Sequence, residues 1–282
     1  MPLWSRPFAA LIAAVTITGA SALPGLSADW TAPPPNAKFD YQIGGDYPLP
    51  AGVNVVSRDW YVGEAPPDGV YGICYVNAFQ TQADEDGVDR PDEHANWPQE
   101  LVLNELGDDP NWGGEYLIDI STAEKRQGAA DWIEPMVEMC AAKGVQGVEF
   151  DNLDSWTRFD GTPLAGDVPF GKAEAVAYAT LLVALAHDNG LAAAQKNTTQ
   201  IKKGEARGVI GFDFAIAEEC GRYKECGAYR ATYGNKVIVI EYRAKDFKKD
   251  CKNKKLRKRL SIVLRDRNVT QPGSDTYVYR AC

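Results

Sequence analysis

The sequence has very little histidine and lacks the short motifs typical of metal or dinucleotide sites. Its two histidines are His94, in a polar segment, and His187, near the end of a predicted helix. Two histidines are few for a Ser-His-Asp or Cys-His mechanism or for a histidine-rich metal site, so the sequence argues against all three. No Cys-x-x-Cys pair is present, and no Gly-x-Gly-x-x-Gly follows an early predicted strand. We expect no metal and no cofactor, so that any acid–base chemistry must come from carboxylates.

Long apolar runs are also absent after the first 20 residues. Within residues 1–28, Arg6 precedes an apolar run from Phe8 to Ala20, which is too short to span a bilayer. This pattern predicts a secretory signal peptide, with cleavage after Ala28 preferred over cleavage after Ala22; an uncleaved membrane anchor is the alternative. We therefore expect a secreted, extracellular protein that makes no contact with a membrane.

The chain is acidic, with a formal net charge of -9. Negative charge argues against nucleic acid as a partner and is compatible with a neutral or cationic substrate. Six cysteines in an exported chain suggest three disulfides, although the sequence alone allows many pairings. The spacing favours Cys220–Cys226 and Cys251–Cys282, which leaves Cys74–Cys140.

Predicted strands alternate with predicted helices after a proline-rich segment, which indicates βαβ units and a mostly parallel sheet. The strand candidates are Tyr41–Ile43, Val53–Arg58, Val70–Phe79, Tyr116–Ile120, Gly147–Asp151, Leu191–Lys196, Phe212–Ala217, Val237–Glu241 and Ser261–Leu264. The helix candidates are Trp97–Leu106, Ala123–Lys143, Gly171–Asn189 and Lys249–Leu260. We predict an extended leader at residues 29–39 and one (β/α)8 TIM barrel at residues 40–282, with an open doubly wound sheet as the alternative. One strand candidate is in excess, and Tyr41–Ile43, the shortest, is expected to pair outside the barrel.

The most informative segment is Val145–Asp154, where a short apolar run ends in three carboxylates and an amide. Glu149 and Asp151 share one strand face by the period-two rule. Other predicted strands end in the same manner, at Asp59-Trp60, Asp119, Lys196-Asn197, Glu218-Glu219 and Glu241-Tyr242. Since the C-terminal strand ends of a barrel carry its catalytic groups, these endings predict a carboxylate-lined cleft.

Paired carboxylates without histidine are typical of glycoside hydrolysis, in which an acid and a carboxylate flank the scissile bond. Aromatic side chains beside the acidic positions could stack on sugar rings, although each is equally compatible with ordinary packing. The acidic segment 84–93 does not fit the EF-hand calcium pattern and is expected to be a solvated loop. The predicted substrate-binding residues are Asp59, Trp60, Tyr75, Asp119, Asn152, Asp154, Lys196, Asn197, Glu241 and Tyr242.

Four motifs, in order along the chain, resemble those of glycoside hydrolase family 114, the endo-α-1,4-polygalactosaminidases. They are Gly147-Val-Glu-Phe-Asp-Asn-Leu-Asp, Gln195-Lys-Asn, Phe212-Asp-Phe-Ala-Ile-Ala-Glu-Glu-Cys and Ile240-Glu-Tyr-Arg. The resemblance covers about residues 40–282, and it departs from the family pattern at Leu117, where members often have Trp. It implies a (β/α)8 barrel that cleaves α-1,4-linked galactosamine polymers with net retention.

The resemblance also implies residue roles. Asp151 matches the nucleophile and Glu218 the acid/base, with Glu219 as the second choice for the latter. Lys196 is a candidate to keep Asp151 ionised. Three further acids, Asp59, Asp119 and Glu241, are expected to pair with the cationic amino groups of the substrate.

Two other functions remain open from the sequence. One is a carbohydrate-binding barrel without turnover, and the other is a glycosidase for a different α-linked sugar. The expected partner is a polysaccharide, cationic or partly deacetylated, and the chain is expected to be a monomer.

Overall fold

The computed structural model describes residues 30–84 and 88–282, so the predicted signal peptide at residues 1–28 lies outside the described residues. Residues 30–38 contain no strand or helix and pack against the N-terminal ends of the barrel strands. The Trp30 ring stacks on His187 with the ring centroids 3.8 Å apart. The Tyr71 hydroxyl donates a hydrogen bond to the Thr31 carbonyl at 2.6 Å.

The described residues contain nine strands in a single sheet. The strands are β1 (Phe39–Gln42), β2 (Val55–Asp59), β3 (Tyr71–Val76), β4 (Gly147–Phe150), β5 (Ala192–Lys196), β6 (Phe214–Glu218), β7 (Val237–Glu241), β8 (Ser261–Arg265) and β9 (Tyr279–Ala281). Strands β1 to β8 pair in chain order and in parallel, and β9 pairs antiparallel with β8. All eight C-terminal ends of the parallel strands therefore meet at one edge.

The sheet curves until β1 lies beside β8. Arg265 at the end of β8 forms a fully buried ion pair with Asp40 of β1, with 3.0 Å between Nη1 and Oδ1. This closure confirms the (β/α)8 TIM barrel. The expectation that Tyr41–Ile43 pairs outside the barrel is wrong, because Tyr41 lies in β1 in register with Ser57.

The barrel interior is apolar at its base and polar at its C-terminal end. Alternate residues such as Phe39, Val55, Ile73 and Phe214 fill the base, as the two-residue period of strands requires. Gly147 is needed there because a Cβ atom would lie only 2.9 Å from the Tyr71 hydroxyl. Further along the same inward faces, the side chains become Ser57, Asp59, Glu149, Asp151, Lys196 and Glu218.

Helices cover the outside of the barrel from β3 onwards. They are α1 (Ala123–Ala142), α2 (Lys172–Asp188), α3 (Lys203–Glu205), α4 (Cys220–Tyr223), α5 (Cys226–Tyr233), α6 (Ala244–Lys252) and α7 (Lys254–Arg257). The predicted boundaries of α1 hold: Thr122 Oγ1 caps its first turn by accepting from Lys125 N–H, and Gly144 follows it with φ +75°. A large apolar core lies between these helices and the outer face of the sheet.

Two predicted elements are absent from the described residues. The predicted helix Trp97–Leu106 is instead two 3-10 turns, Gln99–Leu101 and Asn104–Leu106. The predicted strand Tyr116–Ile120 does not join the barrel, because its backbone bonds with neighbouring loops: Leu103 N–H donates to Leu117 O, and Ile118 N–H donates to Phe79 O. Asp119 therefore does not end a barrel strand.

The three preferred disulfides are all present. Cys74 pairs with Cys140 between β3 and α1, Cys220 with Cys226 in the loop after β6, and Cys251 with Cys282 at the C-terminus. Among the described helices, none combines the length and the apolar character that a membrane crossing requires.

Candidate active site

A cavity of about 420 Å³ opens at the C-terminal ends of the barrel strands. Nine of the residues predicted from the sequence line it: Asp59, Tyr75, Asp151, Asn152, Asp154, Lys196, Asn197, Glu218 and Tyr242. This placement follows from the parallel topology, which brings the residues that end successive strands to one face.

Lys196 is the electrostatic centre of this cavity. Its Nζ atom lies 3.0 Å from Asp151 Oδ1 and 3.3 Å from Glu149 Oε2, and it donates to the Tyr41 hydroxyl at 3.0 Å. Glu149 lies one layer deeper in the barrel and accepts a hydrogen bond from Ser57 Oγ at 2.5 Å. Since Lys196 is 1% exposed, its charge is held almost entirely by these carboxylates.

Burial and charge act in opposite directions on the site. Burial alone would raise the pKa of Asp151, but Lys196, the Asn152 N–H and the Tyr75 hydroxyl outweigh it and lower the pKa below its ordinary value. Burial raises the pKa of Glu149 by more than the charge of Lys196 lowers it, so that this pKa is about 7. Asp151 is therefore the stronger acid of the two and carries negative charge near neutral pH.

Glu218 is fixed by two neighbours. Asn197 Nδ2 donates to Glu218 Oε2 at 2.8 Å, while the Glu218 backbone N–H donates to Asn197 Oδ1 at 2.8 Å. The Tyr242 hydroxyl donates to the other carboxylate oxygen, Oε1. Lys196 Nζ lies 3.8 Å from Glu218 Oε2, so one cation faces both Glu218 and Asp151.

Glu219 has a different environment from Glu218. Its backbone adopts a left-handed conformation with φ +52°, which ends β6 and turns the chain. Its carboxylate pairs with Arg222 at 2.7 Å and does not line the cavity. Asn152 and Asn197, which follow Asp151 and Lys196, also have positive φ values of 61° and 46°. Such conformations cost free energy and cluster at functional sites.

Asp59 lines the cavity, but its carboxylate is already engaged. Asp59 Oδ2 forms an ion pair with Arg90 Nη2 at 2.8 Å. Trp60 does not line the cavity; it is 2% exposed, and its indole N–H donates to Asp92 Oδ2 at 2.6 Å. The expectation of a fully solvated loop at residues 84–93 is wrong for Arg90 and Asp92, which are buried beside Asp59.

Asp119 and Glu241 also do not line the cavity. Asp119 pairs with Lys125 and accepts from the Ser121 N–H at 3.0 Å, at the beginning of α1. Glu241 is fully buried and accepts from the Gly221 N–H at 2.7 Å. Like Trp60, these two side chains contact the surrounding scaffold and not the cavity.

The cavity also contains residues that the sequence patterns did not single out. Trp112 and Glu115 reach it from the long β3–β4 loop, and Arg267 from the segment after β8. The Arg267 guanidinium lies 4.9 Å from the centre of the Trp112 ring, in the range of a cation–π contact across the cavity mouth. The only signal in the sequence is a tryptophan beside Gly113-Gly114, and the periodicity of strands and helices gives no interpretation of it.

Arg158 attaches this loop to the end of β4. Its Nε atom lies 2.9 Å from Asp109 Oδ2, and its Nη2 atom donates to Asn152 Oδ1 at 2.7 Å. Asp109 in turn accepts from the backbone N–H groups of Asn111 and Trp112. The β3–β4 loop is therefore held in a defined position relative to Asp151.

One group of potential metal ligands occurs in the described part of the chain: Cys220, Cys226 and Glu241. The two cysteines form a disulfide and so offer no thiolate to a metal. This group is therefore structural.

The sequence profile of glycoside-hydrolase family GH114 matches residues 19–282. Among solved structures, the chain is similar to Ega3 of Aspergillus fumigatus in complex with galactosamine, at 20% identity and a TM-score of 0.69, over 90% of this chain and 100% of that one. It is also similar to the glycoside hydrolase domain of PelA from Pseudomonas aeruginosa, at 10% identity and a TM-score of 0.57, over 86% of this chain and 98% of that one. No curated protein sequence matches.

At these identities the solved structures establish a shared fold. The profile match spans all of the described residues and includes every motif at the cavity. The resemblance found in the sequence is thereby confirmed, and the chain belongs to glycoside-hydrolase family GH114.

Proposed function

We propose that this protein is a secreted, retaining, endo-acting hydrolase of α-1,4-linked galactosamine-containing polysaccharide. The observation that carries the proposal is the position of Asp151 and Glu218. They line one cavity from the ends of β4 and β6, and both lie close to Lys196 Nζ. Asp151 is the nucleophile and Glu218 the general acid and base. The linkage and the internal position of cleavage rest on the family resemblance.

The separation of the two carboxylates supports retention. Both lie against Lys196 Nζ, at 3.0 Å for Asp151 and 3.8 Å for Glu218, so their nearest oxygens are no more than about 7 Å apart. Retaining pairs are separated by roughly 5–5.5 Å and inverting pairs by roughly 6.5–9.5 Å. This upper bound includes the whole retaining range and reaches only the lower end of the inverting range.

The reaction proceeds by double displacement. The Asp151 carboxylate attacks the anomeric carbon while the Glu218 proton passes to the glycosidic oxygen, so that the carbon–oxygen bond breaks and a glycosyl ester forms on Asp151. Glu218 then takes a proton from water, whose oxygen attacks the anomeric carbon and releases Asp151. Asn197 and Tyr242 hold Glu218 through both steps.

The substrate class is supported by the net charge of -9 and by the acidic lining of the cavity, because a negative field attracts a cationic polymer. Ega3, the structural relative with the same fold, is in complex with galactosamine. Secretion is supported by the predicted signal peptide and by the pairing of all six cysteines, since disulfides persist in oxidising compartments.

Digestion of partly deacetylated α-1,4-linked galactosamine polymer, followed by mass spectrometry, tests this function. We expect a ladder of short oligosaccharides, and proton NMR of the first product should show the α anomer. A β anomer would exclude double displacement. Binding of the polymer without fragments would instead identify a carbohydrate-binding barrel, and cleavage of only a different α-linked polymer would correct the substrate.

A further inference from the structure

The proposed substrate carries an ammonium group on each deacetylated sugar, and the structure limits which carboxylate can recognise it. Asp59 is paired with Arg90, Asp119 with Lys125, and Glu241 is buried away from the cavity. None of the three acids expected from the sequence is therefore available for a cationic ligand.

We propose that Glu115 is the specificity-determining residue that recognises the amino group of the sugar bound next to Asp151. The proposal rests on the function proposed above. Glu115 lines the same cavity as Asp151, and among the described residues no Lys, Arg or His nitrogen lies within ion-pairing distance of its carboxylate. A substrate ammonium would supply the missing partner.

The Glu115 carboxylate is held firmly on one side. Its Oε2 atom accepts from Asn77 Nδ2 at 3.1 Å and from Asn152 Nδ2 at 3.3 Å. Asn152 Nδ2 also donates to Asn77 Oδ1 at 2.9 Å, so the two amides form one rigid unit. Within the described part of the chain, no donor reaches the other oxygen, Oε1, which leaves that oxygen for a ligand.

The position of this unit connects it with the reacting centre. Asn152 directly follows the proposed nucleophile, and its backbone N–H donates to Asp151 Oδ1 at 2.8 Å. The 2-amino group of a galactosamine residue is attached to the carbon beside the anomeric centre. A sugar placed for attack by Asp151 therefore brings its amino group near the side chains that surround Asn152.

The electrostatics favour a cation over a neutral acetamide. Burial is the main cause that raises the pKa of Glu115 to about 7; the Asn77 hydrogen bond and Arg158 act against it, while the charges of Asp151 and Asp109 add to it. An unpaired carboxylate in such a place is costly to ionise. An ammonium group offsets that cost through a charge-assisted hydrogen bond, whereas an N-acetyl group does not.

Asp154 also lies at the cavity wall, but it is a weaker candidate. Its Oδ1 atom lies 3.3 Å from Arg158 Nη2, so that its charge is already balanced. Glu115 differs from it in having two neutral amide donors and no cationic partner.

The test compares the affinities of galactosamine and N-acetylgalactosamine for wild type and Glu115→Gln by titration calorimetry. Glutamine keeps the shape and an acceptor oxygen for Asn77 and Asn152 while removing the charge. We expect Glu115→Gln to weaken galactosamine binding by about tenfold to a hundredfold and to leave N-acetylgalactosamine binding within about twofold. Wild-type affinity for galactosamine should also fall below about pH 7, because Glu115 must lose its proton, and this dependence should be absent in the variant.

Glu138→Gln on the exposed face of α1 removes the same charge far from the cavity and should change neither affinity. An equal loss for both sugars in Glu115→Gln, or a wild type that prefers N-acetylgalactosamine, would overturn the proposal. Because binding is measured with monosaccharides, the binding test does not depend on turnover. A wild type that cleaves no galactosamine polymer would refute the proposed function, and the comparison of the two monosaccharide affinities would still test the role of Glu115.

Discussion

Lys196 Nζ lies 3.0 Å from Asp151 Oδ1 in the centre of the barrel. The same nitrogen also lies within ion-pairing distance of Glu149 and Glu218, so one buried cation contacts three carboxylates. Burial opposes the charge on Lys196, but the three acids outweigh it and raise the pKa of Lys196 well above its ordinary value. Of these acids, Asp151 has its pKa lowered by the lysine, so this arrangement keeps it ionised at the cavity.

Replacement of this lysine should therefore abolish turnover. We expect Lys196→Met to lower kcat by about a hundredfold to a thousandfold, because the charge opposite Asp151 is lost in a site shielded from water. The variant should also unfold at lower temperature, since removal of one partner leaves uncompensated buried charge. Lys236→Met, at an exposed position, is the control; retention of more than half of the activity in Lys196→Met would contradict this role.

Asp151→Asn tests the nucleophile. The amide keeps the size of the side chain but cannot form the glycosyl ester, so kcat should fall by at least about three orders of magnitude. Thermal unfolding should still be cooperative, which separates a loss of chemistry from a loss of fold. If azide restores turnover in Asp151→Gly and yields a β-glycosyl azide, the position of the nucleophile is established; an active Asp151→Asn would refute it.

Glu218→Gln and Glu219→Gln distinguish the two candidates for the acid/base. Loss of general acid–base catalysis costs roughly a hundredfold to ten-thousandfold, and we expect this loss for Glu218→Gln alone. Glu219 pairs with Arg222 outside the cavity, so Glu219→Gln should stay within about threefold of wild type. Activity on a substrate with a good leaving group should suffer less in Glu218→Gln than activity on the polymer. If Glu219→Gln lost more activity than Glu218→Gln, Glu219 and not Glu218 would be the acid/base.

Glu241 predicts a pH dependence of stability that is independent of catalysis. Burial, together with the nearby Asp250, Asp246 and Glu219, raises its pKa to about 8, although the hydrogen bond from the Gly221 N–H acts in the opposite direction. Glu241 Oε2 and Asp250 Oδ2 both lack a partner among the described residues, which a proton shared by the two carboxyls explains. Since the folded state binds a proton that the unfolded chain releases near its ordinary pKa, the free energy of unfolding should decrease as pH rises from about 4.5 to about 8.

Glu241→Gln removes this contribution, because the amide imitates the protonated acid. Its midpoint of thermal unfolding should vary less with pH over that range than the wild-type midpoint, with Glu134→Gln on the surface of α1 as the control. Parallel pH profiles for wild type and Glu241→Gln would show that Glu241 is ionised in the folded protein.

Local patterns predicted most of the parallel strands. Strands β4 to β8 were anticipated within about three residues, because their apolar runs are short and end sharply. Strand β9 was missed since Tyr279–Ala281 is only three residues long and has no apolar alternation. The segment Tyr116–Ile120 looks like a strand for the same local reasons, but hydrogen bonds with Leu101 and Phe79 fix it in the β3–β4 loop.

The polar residues were harder to judge than the strands. Sequence patterns placed Asp151, Lys196 and Glu218 at strand ends, and the barrel topology then brings them together at the cavity. Sequence patterns could not reveal that Asp59 forms an ion pair with Arg90, which is 31 residues away in the chain. Nor could they select Glu115, since a glutamate after two glycines in a long loop has no period to interpret.

The amino-acid sequence by itself determined the barrel, the family and the acidic strand ends, because the periods of helices and strands and the residues that stop them are local properties. Only the tertiary structure decided which of those acids remain free to meet a ligand. The physical reason is that ion pairs and burial depend on groups that approach from distant parts of the chain, and these set whether a carboxylate is a scaffold contact or part of the site.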